Sequence, residues 1–489
     1  MQHNEIYERA RLARDARFDG QFFVGVSTTG IYCRPICPAV SPKKENVAFF
    51  PSAAAASEAG FRPCLRCRPE CAPGTPAWSG TSTTVRRGLR LISTGALDNG
   101  DVEQLAERLG VTSRHLRRLF GHHLGASPIA VAHTQRLHFA KRLIDETSLP
   151  MSQIALAAGY GSVRRFNDAL KATYGRAPRD LRRGNVEQLP RIDGATLSVR
   201  LPYRTPFDWA QMLAFFSDRA TPGVESVSGE RYSRSIALDD GHGIIEVQPA
   251  ASGNYLQLTL RGVTTASLFE VVQRCREMLD LDAPVADIAA VLGKDPALAE
   301  RLKSHGGIRV PGSWDGFELT IRAILGQQVS VKAATTLAGR IAAHYGEPLS
   351  LSKDTGSDTL NRVFPTADRL VRARLEHCGI IRSRADTIRS VARAVVRSEL
   401  LFDPAQSPQD FCTALQSIKG IGDWTAQYVA MRALKNPDAF PASDLGLIKA
   451  IEWPRRVTPA QLLQRAQSWR PWRAYAALLL WSSHPGSGG

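Results

Sequence analysis

The sequence predicts a multidomain α+β protein with four folded parts: a small cysteine-rich α/β domain, an all-α domain, an antiparallel sheet with flanking helices, and a final all-α domain. Three observations carry this prediction. Five of the eight cysteines lie within the first 71 of the 489 residues. A helical pattern then repeats at a spacing of 49 to 50 residues. Strand-like alternation is concentrated between residues 197 and 262, and helical periodicity follows it.

Composition and charge limit the classes of protein that fit. Hydrophobic residues make up 43% and charged residues 22% of the chain, as in ordinary globular proteins, so extensive disorder is not expected. No apolar run approaches the ~18 residues of a membrane span, and MQHNEIYERARLARD is too charged for a signal peptide, so we expect a cytoplasmic protein. The net charge is +16, of which residues 1–190 carry +11 and the remainder +5. This excess favours a polyanionic partner, either nucleic acid or an anionic membrane surface.

The first four cysteines form two closely spaced pairs. Cys33 and Cys37 are separated by three residues, Cys64 and Cys67 by two, and prolines flank both pairs. Two such pairs are what a tetrahedral zinc site requires, so the spacing predicts one zinc ion. A purely structural zinc site is the alternative that the spacing leaves open. Cys71 is expected to be a bystander, and the remaining three are expected to be core residues, namely Cys275, Cys378 and Cys412.

The stretch from Asp15 to Pro69 resembles the N-terminal domain of the Ada alkylation-response proteins. The matching segments are FDGQFFVGVSTTGIYCRPICP, ENVAFF and AGFRPCLRCRPE. The resemblance implies that Cys33 is also a nucleophile, which takes a methyl group from a DNA methylphosphotriester. Methylation would reduce the formal charge of a Zn(Cys)4 centre from −2 to −1, and repulsion against phosphate would fall. The candidates for holding the phosphate are Arg34, Lys43 and Lys44.

The repeat in the middle of the chain predicts two helix-turn-helix units. Asp101 caps a short helix that ends at a turning Gly110, and Ser113 starts the next helix; the same plan returns around Gly159 and Ser162. A connecting helix over roughly 129–147 would hold the two reading helices about one DNA turn apart.

This duplicated plan resembles the AraC-type DNA-binding domain, which follows the zinc module in Ada proteins. The resemblance implies a promoter operator as a binding site and RNA polymerase as a partner. Helix-turn-helix geometry also occurs in non-binding domains, but basic second helices in both copies favour DNA reading. The candidate DNA-contacting residues are Arg114, Arg117, Arg118, Arg164, Arg165 and Asn167.

The C-terminal half begins with alternating segments and continues with helices. LSVRLPY, RYSRSIAL, GIIEVQPA and YLQLTLRG predict antiparallel strands, with helices near 209–217 and 268–279, and everything beyond Pro284 is predicted helical. Gly420-Ile421-Gly422 predicts a hairpin between two helices, whose backbone N–H groups can grip a DNA phosphate. Asp444 on its own reads as the N-cap of a helix.

Nearly 290 residues resemble the helix-hairpin-helix DNA glycosylases, specifically the AlkA-like 3-methyladenine glycosylases. The matches are FDW at 207–209, PGSWDGFELTIRAILGQQVS from Pro311, the hairpin, and PWRAYAALLLW near the end. The resemblance implies that Asp444 is catalytic and that an aromatic pocket binds cationic alkylated bases such as 3-methyladenine and 7-methylguanine. The pocket residues implied are Phe215, Trp424, Tyr428 and Trp481.

Two departures from the glycosylase pattern refine the expectation. Strand-cutting members carry a Lys at the place of Trp424, so a monofunctional enzyme that leaves an abasic site is expected. Gln328 stands where a leucine wedge is found in AlkA-like enzymes, which puts wedge efficiency in question. A non-catalytic C-terminal half in a pure regulator is the rival function. No P-C-H-R nucleophile motif occurs, so repair of O6-methylguanine is not expected.

The expected domain boundaries follow from these patterns. They are 1–75 for the zinc domain, 76–84 for a linker, 85–186 for the helix-turn-helix domain, 193–285 for the antiparallel α+β domain and 286–485 for the helix-hairpin-helix domain.

Overall fold

The computed structural model describes residues 2–72, 83–98, 100–182, 196–349, 359–403, 406–451 and 457–482. The predicted linker over 76–84 lies mostly outside this range. Within it, none of the helices combines the length and the apolar character that a membrane span needs.

The N-terminal domain is a four-stranded sheet with two helices. Its elements are α1 (Gln2–Leu12), β1 (Phe23–Val26), β2 (Ile31–Cys33), β3 (Val47–Phe50), α2 (Ala53–Glu58) and β4 (Arg62–Pro63). The strand order is β3-β1-β2-β4, and only the β2–β4 pair is parallel. Because parallel neighbours end at the same edge of a sheet, the residues that follow β2 and β4 meet there. Cys33 ends β2 and Cys64 follows β4 directly.

The second domain contains the predicted duplicated helix pairs. Its helices are α3 (Thr83–Ser93), α4 (Val102–Arg108), α5 (Ser113–Leu124), α6 (Pro128–Glu146), α7 (Met151–Ala157), α8 (Val163–Tyr174) and α9 (Pro178–Leu181). Gly110 and Gly159 turn the chain with φ values of +69° and +74°, a conformation that glycine adopts without strain. The 19 residues of α6 span about 28 Å, so α6 separates the two units as predicted.

The third part is a five-stranded antiparallel sheet with two helices. Its elements are β5 (Thr196–Pro202), α10 (Trp209–Arg219), β6 (Glu225–Ser228), β7 (Arg231–Leu238), β8 (Gly241–Pro249), β9 (Tyr255–Arg261) and α11 (Leu268–Met278). The strand order is β5-β9-β8-β7-β6. Four of these strands were predicted. Strand β6 was missed because ESVS is short and carries a single apolar side chain.

The C-terminal part is helical, as predicted, apart from isolated bridges that involve Pro348, Leu360 and Arg362. Its first helices are α12 (Val285–Leu292), α13 (Pro296–Ser304), α14 (Gly316–Leu325), α15 (Val331–Tyr345), α16 (Ala367–Leu370) and α17 (Arg382–Val396). They are followed by α18 (Pro408–Gln416), α19 (Asp423–Arg432), α20 (Leu445–Ala450), α21 (Pro459–Arg465) and α22 (Arg473–Trp481). One apolar core joins these helices, and α14 passes through it.

The helix-turn-helix domain packs directly on the glycosylase-like half, which sequence reasoning did not predict. Phe139 on α6 contacts Phe269 on α11, with ring centroids 4.8 Å apart. On α3, Arg90 pairs with Glu277 at 3.3 Å and donates to the Leu434 carbonyl at 2.6 Å. The second helix-turn-helix unit and the five-stranded sheet therefore share one apolar core.

Candidate zinc cluster, DNA-contacting surfaces and base pocket

The four predicted cysteines form one cluster. The Sγ atoms of Cys33, Cys37, Cys64 and Cys67 all lie within 4.8 Å of one another, and none of the four is in a disulfide. The parallel β2–β4 pair brings the two cysteine pairs together, and the Cys64 N–H donates to the Tyr32 carbonyl at 3.0 Å. Cys71, the expected bystander, is not a member of the cluster.

This donor set fits zinc. Four thiolates bound to Zn²⁺ at about 2.3 Å lie about 3.8 Å from one another, which agrees with the upper limit of 4.8 Å between the Sγ atoms of the cluster. Four sulfurs converging without a bond between them repel one another once ionised, and a divalent cation removes that repulsion. The chain therefore binds one zinc ion through Cys33, Cys37, Cys64 and Cys67.

Exposure differs between the two cysteine pairs. Cys64 and Cys67 are 8% and 7% exposed, whereas Cys33 and Cys37 are partly exposed. The first pair is therefore the more accessible one, and accessibility is what a nucleophilic cysteine requires.

The predicted phosphate-holding residues have different surroundings. The Arg34 guanidinium pairs with Asp19 and donates to the Cys67 carbonyl at 3.2 Å, and its backbone N–H donates to the Cys67 Sγ at 3.4 Å. These contacts make Arg34 a support of the cluster. Lys43 and Lys44 are exposed, and Lys43 lies 3.9 Å from Glu45.

A hydrogen bond connects the cysteine cluster to the helix-turn-helix domain. Tyr32, which precedes Cys33, has its hydroxyl 2.9 Å from Nε2 of His138 on α6. Burial, the largest cause, and the charge of Arg142 lower the His138 pKa to about 4, so the imidazole is neutral at pH 7. This hydrogen bond joins strand β2, which ends at Cys33, to helix α6.

The second helix of each unit presents its basic side chains to solvent. On α5 the side chains of Leu116, Phe120 and Leu124 are buried, and α8 buries its counterparts in the same pattern. The opposite face of α5 and α8 exposes the predicted DNA-contacting residues Arg114, Arg117, Arg118, Arg164, Arg165 and Asn167.

The predicted hairpin connects α18 to α19. Gly420 has φ +94°, and a Cβ atom there would lie 2.2 Å from the Thr387 Oγ1, so the site admits only glycine. Gly422 caps α19 and leaves the helix N-terminus open, the arrangement that binds phosphate. Gln328 is exposed on the nearby turn between α14 and α15, with φ +57°. A cleft of about 970 Å³ contains these residues, and the exposed Leu445 and Ile381 line it as well.

Asp444 is both an N-cap and a pocket carboxylate. Its Oδ1 accepts a hydrogen bond from the Leu447 N–H at 2.8 Å, which caps α20. The same Oδ1 accepts from the Trp481 Nε1 at 2.9 Å, and Oδ2 accepts from the Trp424 Nε1 at 2.8 Å. Only 7% of Asp444 is exposed, so three donors fix a carboxylate that burial alone would disfavour.

The predicted aromatic residues surround this carboxylate. Phe215, Trp424, Tyr428 and Trp481 line one pocket together with Asp444. The rings of Trp424 and Tyr428 are stacked, with centroids 5.2 Å apart and planes inclined by 9°. The ring of Trp481 lies edge-on to Tyr428 at 6.4 Å.

Sequence reasoning missed three arginines that line the same pocket, namely Arg219, Arg322 and Arg432. The carbon Cζ of Arg219 lies 4.0 Å from the Phe215 ring centroid, and that of Arg432 lies 4.7 Å from it. Arg322 is neutralised by Glu225 at 2.7 Å and Glu318 at 3.0 Å. The available signals were the four-residue spacings of Phe215 and Arg219 on α10 and of Tyr428 and Arg432 on α19. The contact of Arg432 with Phe215 joins distant segments and has no such signal.

Four protein-family descriptions match the chain. They are the metal-binding domain of Ada over residues 7–70, a helix-turn-helix domain over 105–184, the AlkA N-terminal domain over 198–315, and the HhH-GPD superfamily of base excision DNA repair proteins over 321–473.

Individual proteins match as well. The chain is 34% identical over 284 residues to "DNA-3-methyladenine glycosylase 2" of Escherichia coli K12, which covers 58% of this chain and 95% of that protein. A solved 3-methyladenine DNA glycosylase from Archaeoglobus fulgidus shares the fold, with a TM-score of 0.50 at 22% identity over 58% of this chain and 97% of its own.

A relative in Mycobacterium tuberculosis (strain CDC 1551 / Oshkosh) matches almost end to end. It is named "Probable bifunctional transcriptional activator/DNA repair enzyme AlkA" and is 40% identical over 487 residues, 98% of this chain and 96% of that protein. A match of this extent, over the same succession of domains, shows that the chain belongs to the family of AlkA-type bifunctional transcriptional activator/DNA repair enzymes.

Proposed function

We propose that this chain is an alkylation-response protein with two activities: a glycosylase that excises alkylated bases and a transcriptional activator that is switched on by methyl transfer to Cys33. The observation that carries the glycosylase assignment is the Asp444 carboxylate, held by the indole N–H groups of Trp424 and Trp481 at 2.8 and 2.9 Å inside an aromatic pocket. Capping α20 needs only the contact with the Leu447 N–H, so the two indole donors favour a catalytic carboxylate over a non-catalytic DNA-binding half.

The pocket suits a base that already carries positive charge. Bases alkylated at N3 of adenine or N7 of guanine are good leaving groups, and aromatic faces attract a cation by about 0.5 to 2 kcal/mol each. The nucleotide is flipped out of the duplex, and the hairpin N–H groups around Gly422 hold the backbone. The aromatic residues then position the base while Asp444 faces the sugar.

Excision breaks the bond between C1′ of the sugar and the base nitrogen. The electron pair leaves with the base, and positive charge develops on the sugar ring. At about 4 Å and an effective dielectric of 20, a carboxylate stabilises that charge by about 4 kcal/mol, or roughly a thousandfold in rate. Water adds to C1′ and loses a proton, which leaves an abasic site. Because Trp424 stands where strand-cutting members carry a Lys, no amine at that position can attack C1′, and the strand remains intact.

The second activity uses Cys33. Bound zinc keeps the thiolates ionised at neutral pH while they remain nucleophilic. The Cys33 Sγ attacks the methyl carbon of a methylphosphotriester, the S–C bond forms, and the electron pair of the broken C–O bond returns to a phosphodiester oxygen. The more exposed position of the Cys33–Cys37 pair supports Cys33 as the acceptor.

Methylation is also a binding switch. One thiolate charge is lost, and at about 10 Å the repulsion relieved is about 0.4 to 1.7 kcal/mol per phosphate for dielectrics between 80 and 20. A few phosphates therefore raise DNA affinity about tenfold or more. The Tyr32–His138 hydrogen bond connects this site to α6, and α5 and α8 supply the contacts to a promoter operator.

The wider setting is also part of the proposal. The domain boundaries are 1–75, 85–186, 193–285 and 286–485, with a linker over 76–84. RNA polymerase is the partner recruited at the promoter, double-stranded DNA is the substrate, and the protein acts in the cytoplasm. Lys43 and Lys44 are exposed, and their proposed role is to contact the phosphate of the methylphosphotriester.

The glycosylase assignment is tested with duplex DNA treated with a methylating agent. We expect free methylated purines, abasic sites and no strand cleavage, and borohydride should trap no covalent complex. Release of no base by the folded protein would leave the regulator as the surviving function. Strand cleavage with a trapped complex would overturn the monofunctional assignment.

A further inference from the structure

The guanidinium group of Arg432 lines the base pocket and is fixed by hydrogen bonds. Arg432 is 5% exposed, its Nε donates to the Pro311 carbonyl at 2.8 Å, and its Nη2 donates to the Gly312 carbonyl at 3.0 Å. Its Nη1 donates to the Tyr428 hydroxyl at 2.5 Å. In the part of the chain that the structure describes, no carboxylate forms an ion pair with Arg432, so its charge acts on Tyr428.

The hydroxyl of Tyr428 is committed as an acceptor and available as a donor. Because its oxygen accepts from Arg432, its own hydrogen points away from the guanidinium. Among the described residues, none accepts a hydrogen bond from this hydroxyl, and Tyr428 lines the pocket with Trp424 and Asp444. Stacking on Trp424 fixes the ring that carries it.

The surrounding charges strengthen this donor. Burial raises the pKa of the Tyr428 phenol, but the charges of Arg432, Arg219 and Arg322 and the hydrogen bond from Arg432 outweigh burial, so the net pKa is lowered. Arg219 and Arg432 also occupy the space over Phe215, at 4.0 and 4.7 Å from its centroid. Less of the Phe215 π-face is therefore left for a cationic base, so hydrogen bonds contribute a larger share of the recognition of the base.

We propose that Tyr428, polarised by Arg432, donates a hydrogen bond to an exocyclic carbonyl oxygen of the flipped base and makes the pocket selective for alkylated bases that carry such an oxygen. This inference rests on the proposed glycosylase function and names its preferred substrates. As the C1′–N bond breaks, the electron pair passes to the base and density rises on the carbonyl oxygen, so the hydrogen bond strengthens in the transition state. An exocyclic amino group would instead present a donor to a donor.

Two bases of the proposed substrate class separate these cases. 7-Methylguanine and 3-methyladenine both carry positive charge, but only the first has an exocyclic oxygen. Comparing each variant with wild type on the same base cancels the intrinsic stability of the two glycosidic bonds. The comparison therefore isolates the hydrogen bond from the attraction of the pocket for cations.

The experiment measures single-turnover excision of each base from defined duplexes. Y428F keeps the ring and its stacking on Trp424, and we expect about a tenfold loss for 7-methylguanine and a change within about twofold for 3-methyladenine. R432K, which cannot reproduce three fixed contacts, should show the same selective loss if it folds. Y255F, the same substitution on β9 outside the pocket, is the matched control and should leave both rates unchanged.

Each other outcome has a distinct meaning. Equal losses on both bases would make the hydroxyl a structural element and overturn the proposal, and so would no loss on either. If the wild type releases neither base, the proposed glycosylase function itself fails. The selectivity is therefore tested by Y428F and R432K on an active wild-type background, and it is also refuted if the wild type releases 3-methyladenine but no 7-methylguanine.

Discussion

Replacing Asp444 with Asn removes the charge of the pocket carboxylate while keeping its shape. Asn is a good N-cap, so its oxygen continues to accept from the Leu447 N–H and the Trp481 Nε1, at 2.8 and 2.9 Å in the wild type. Its amide N–H₂ group, however, faces the Trp424 Nε1, which donates to Oδ2 at 2.8 Å in the wild type. A buried donor that loses its partner costs about 1 to 3 kcal/mol, so a modest loss of stability is expected.

The loss of catalysis should be much larger. Without the charge, about 4 kcal/mol of stabilisation of the sugar cation disappears, which corresponds to roughly a thousandfold in rate. The assay is single-turnover release of 7-methylguanine at saturating D444N, with thermal unfolding followed in parallel. Asp423→Asn is the matched control, because Asp423 is exposed on the first turn of α19 and accepts only long hydrogen bonds from Gln416 and Gln427. D444N that remains folded and retains more than about a tenth of the wild-type rate would refute the electrostatic role.

Three further predictions follow from the same contacts. Gly420→Ala should lower the free energy of unfolding of the C-terminal half by more than about 2 kcal/mol in denaturant titrations, because φ +94° and the 2.2 Å approach to Thr387 both exclude a Cβ atom. The control Gly422→Ala should change it by about 0.5 kcal/mol or less, and equal effects of the two variants would contradict the hairpin geometry. Cys64→Ser should abolish binding of the single zinc ion, measured by atomic absorption, whereas the control Cys412→Ser should retain it. A full zinc content in both variants would exclude Cys64 as a zinc ligand. Arg117→Ala and Arg165→Ala should each weaken operator binding and lower the salt dependence of log K by about one phosphate contact, while exposed Arg397→Ala should do neither. Unchanged affinity together with an unchanged slope would exclude these arginines as DNA contacts.

Local patterns account for the parts of the fold and site that the sequence predicted. The two cysteine pairs could be predicted because the members of each pair are close in the chain. The pairs converge because strands β2 and β4 are parallel neighbours in the sheet, which brings Cys33 and Cys37 to Cys64 and Cys67. Gly110 and Gly159 mark turns that short-range backbone geometry dictates. Asp444 was read both as a cap and as a catalytic group, and its three hydrogen bonds make the two roles compatible.

Contacts between distant segments account for what was missed. Arg432 follows Tyr428 by four residues on α19, but it is fixed by the Pro311 and Gly312 carbonyls across more than a hundred residues, and those contacts have no short-range signature. Arg90 similarly connects α3 to Glu277 and Leu434. An amphipathic pattern predicts that a face is buried but does not identify the surface that covers it.

If one chain repairs alkylated DNA at two independent sites, a single incubation with alkylated DNA reveals both activities. Duplex DNA that carries both methylated purines and methylphosphotriesters is incubated with wild type, C33S and D444N, and each reaction is scored for freed bases and for the mass of the peptide containing residue 33. We predict that wild type does both, that C33S frees bases without gaining a methyl group, and that D444N gains one methyl on Cys33 while releasing almost no base. Loss of both activities in either folded variant, or an unmethylated Cys33 in the wild type, would contradict the claim.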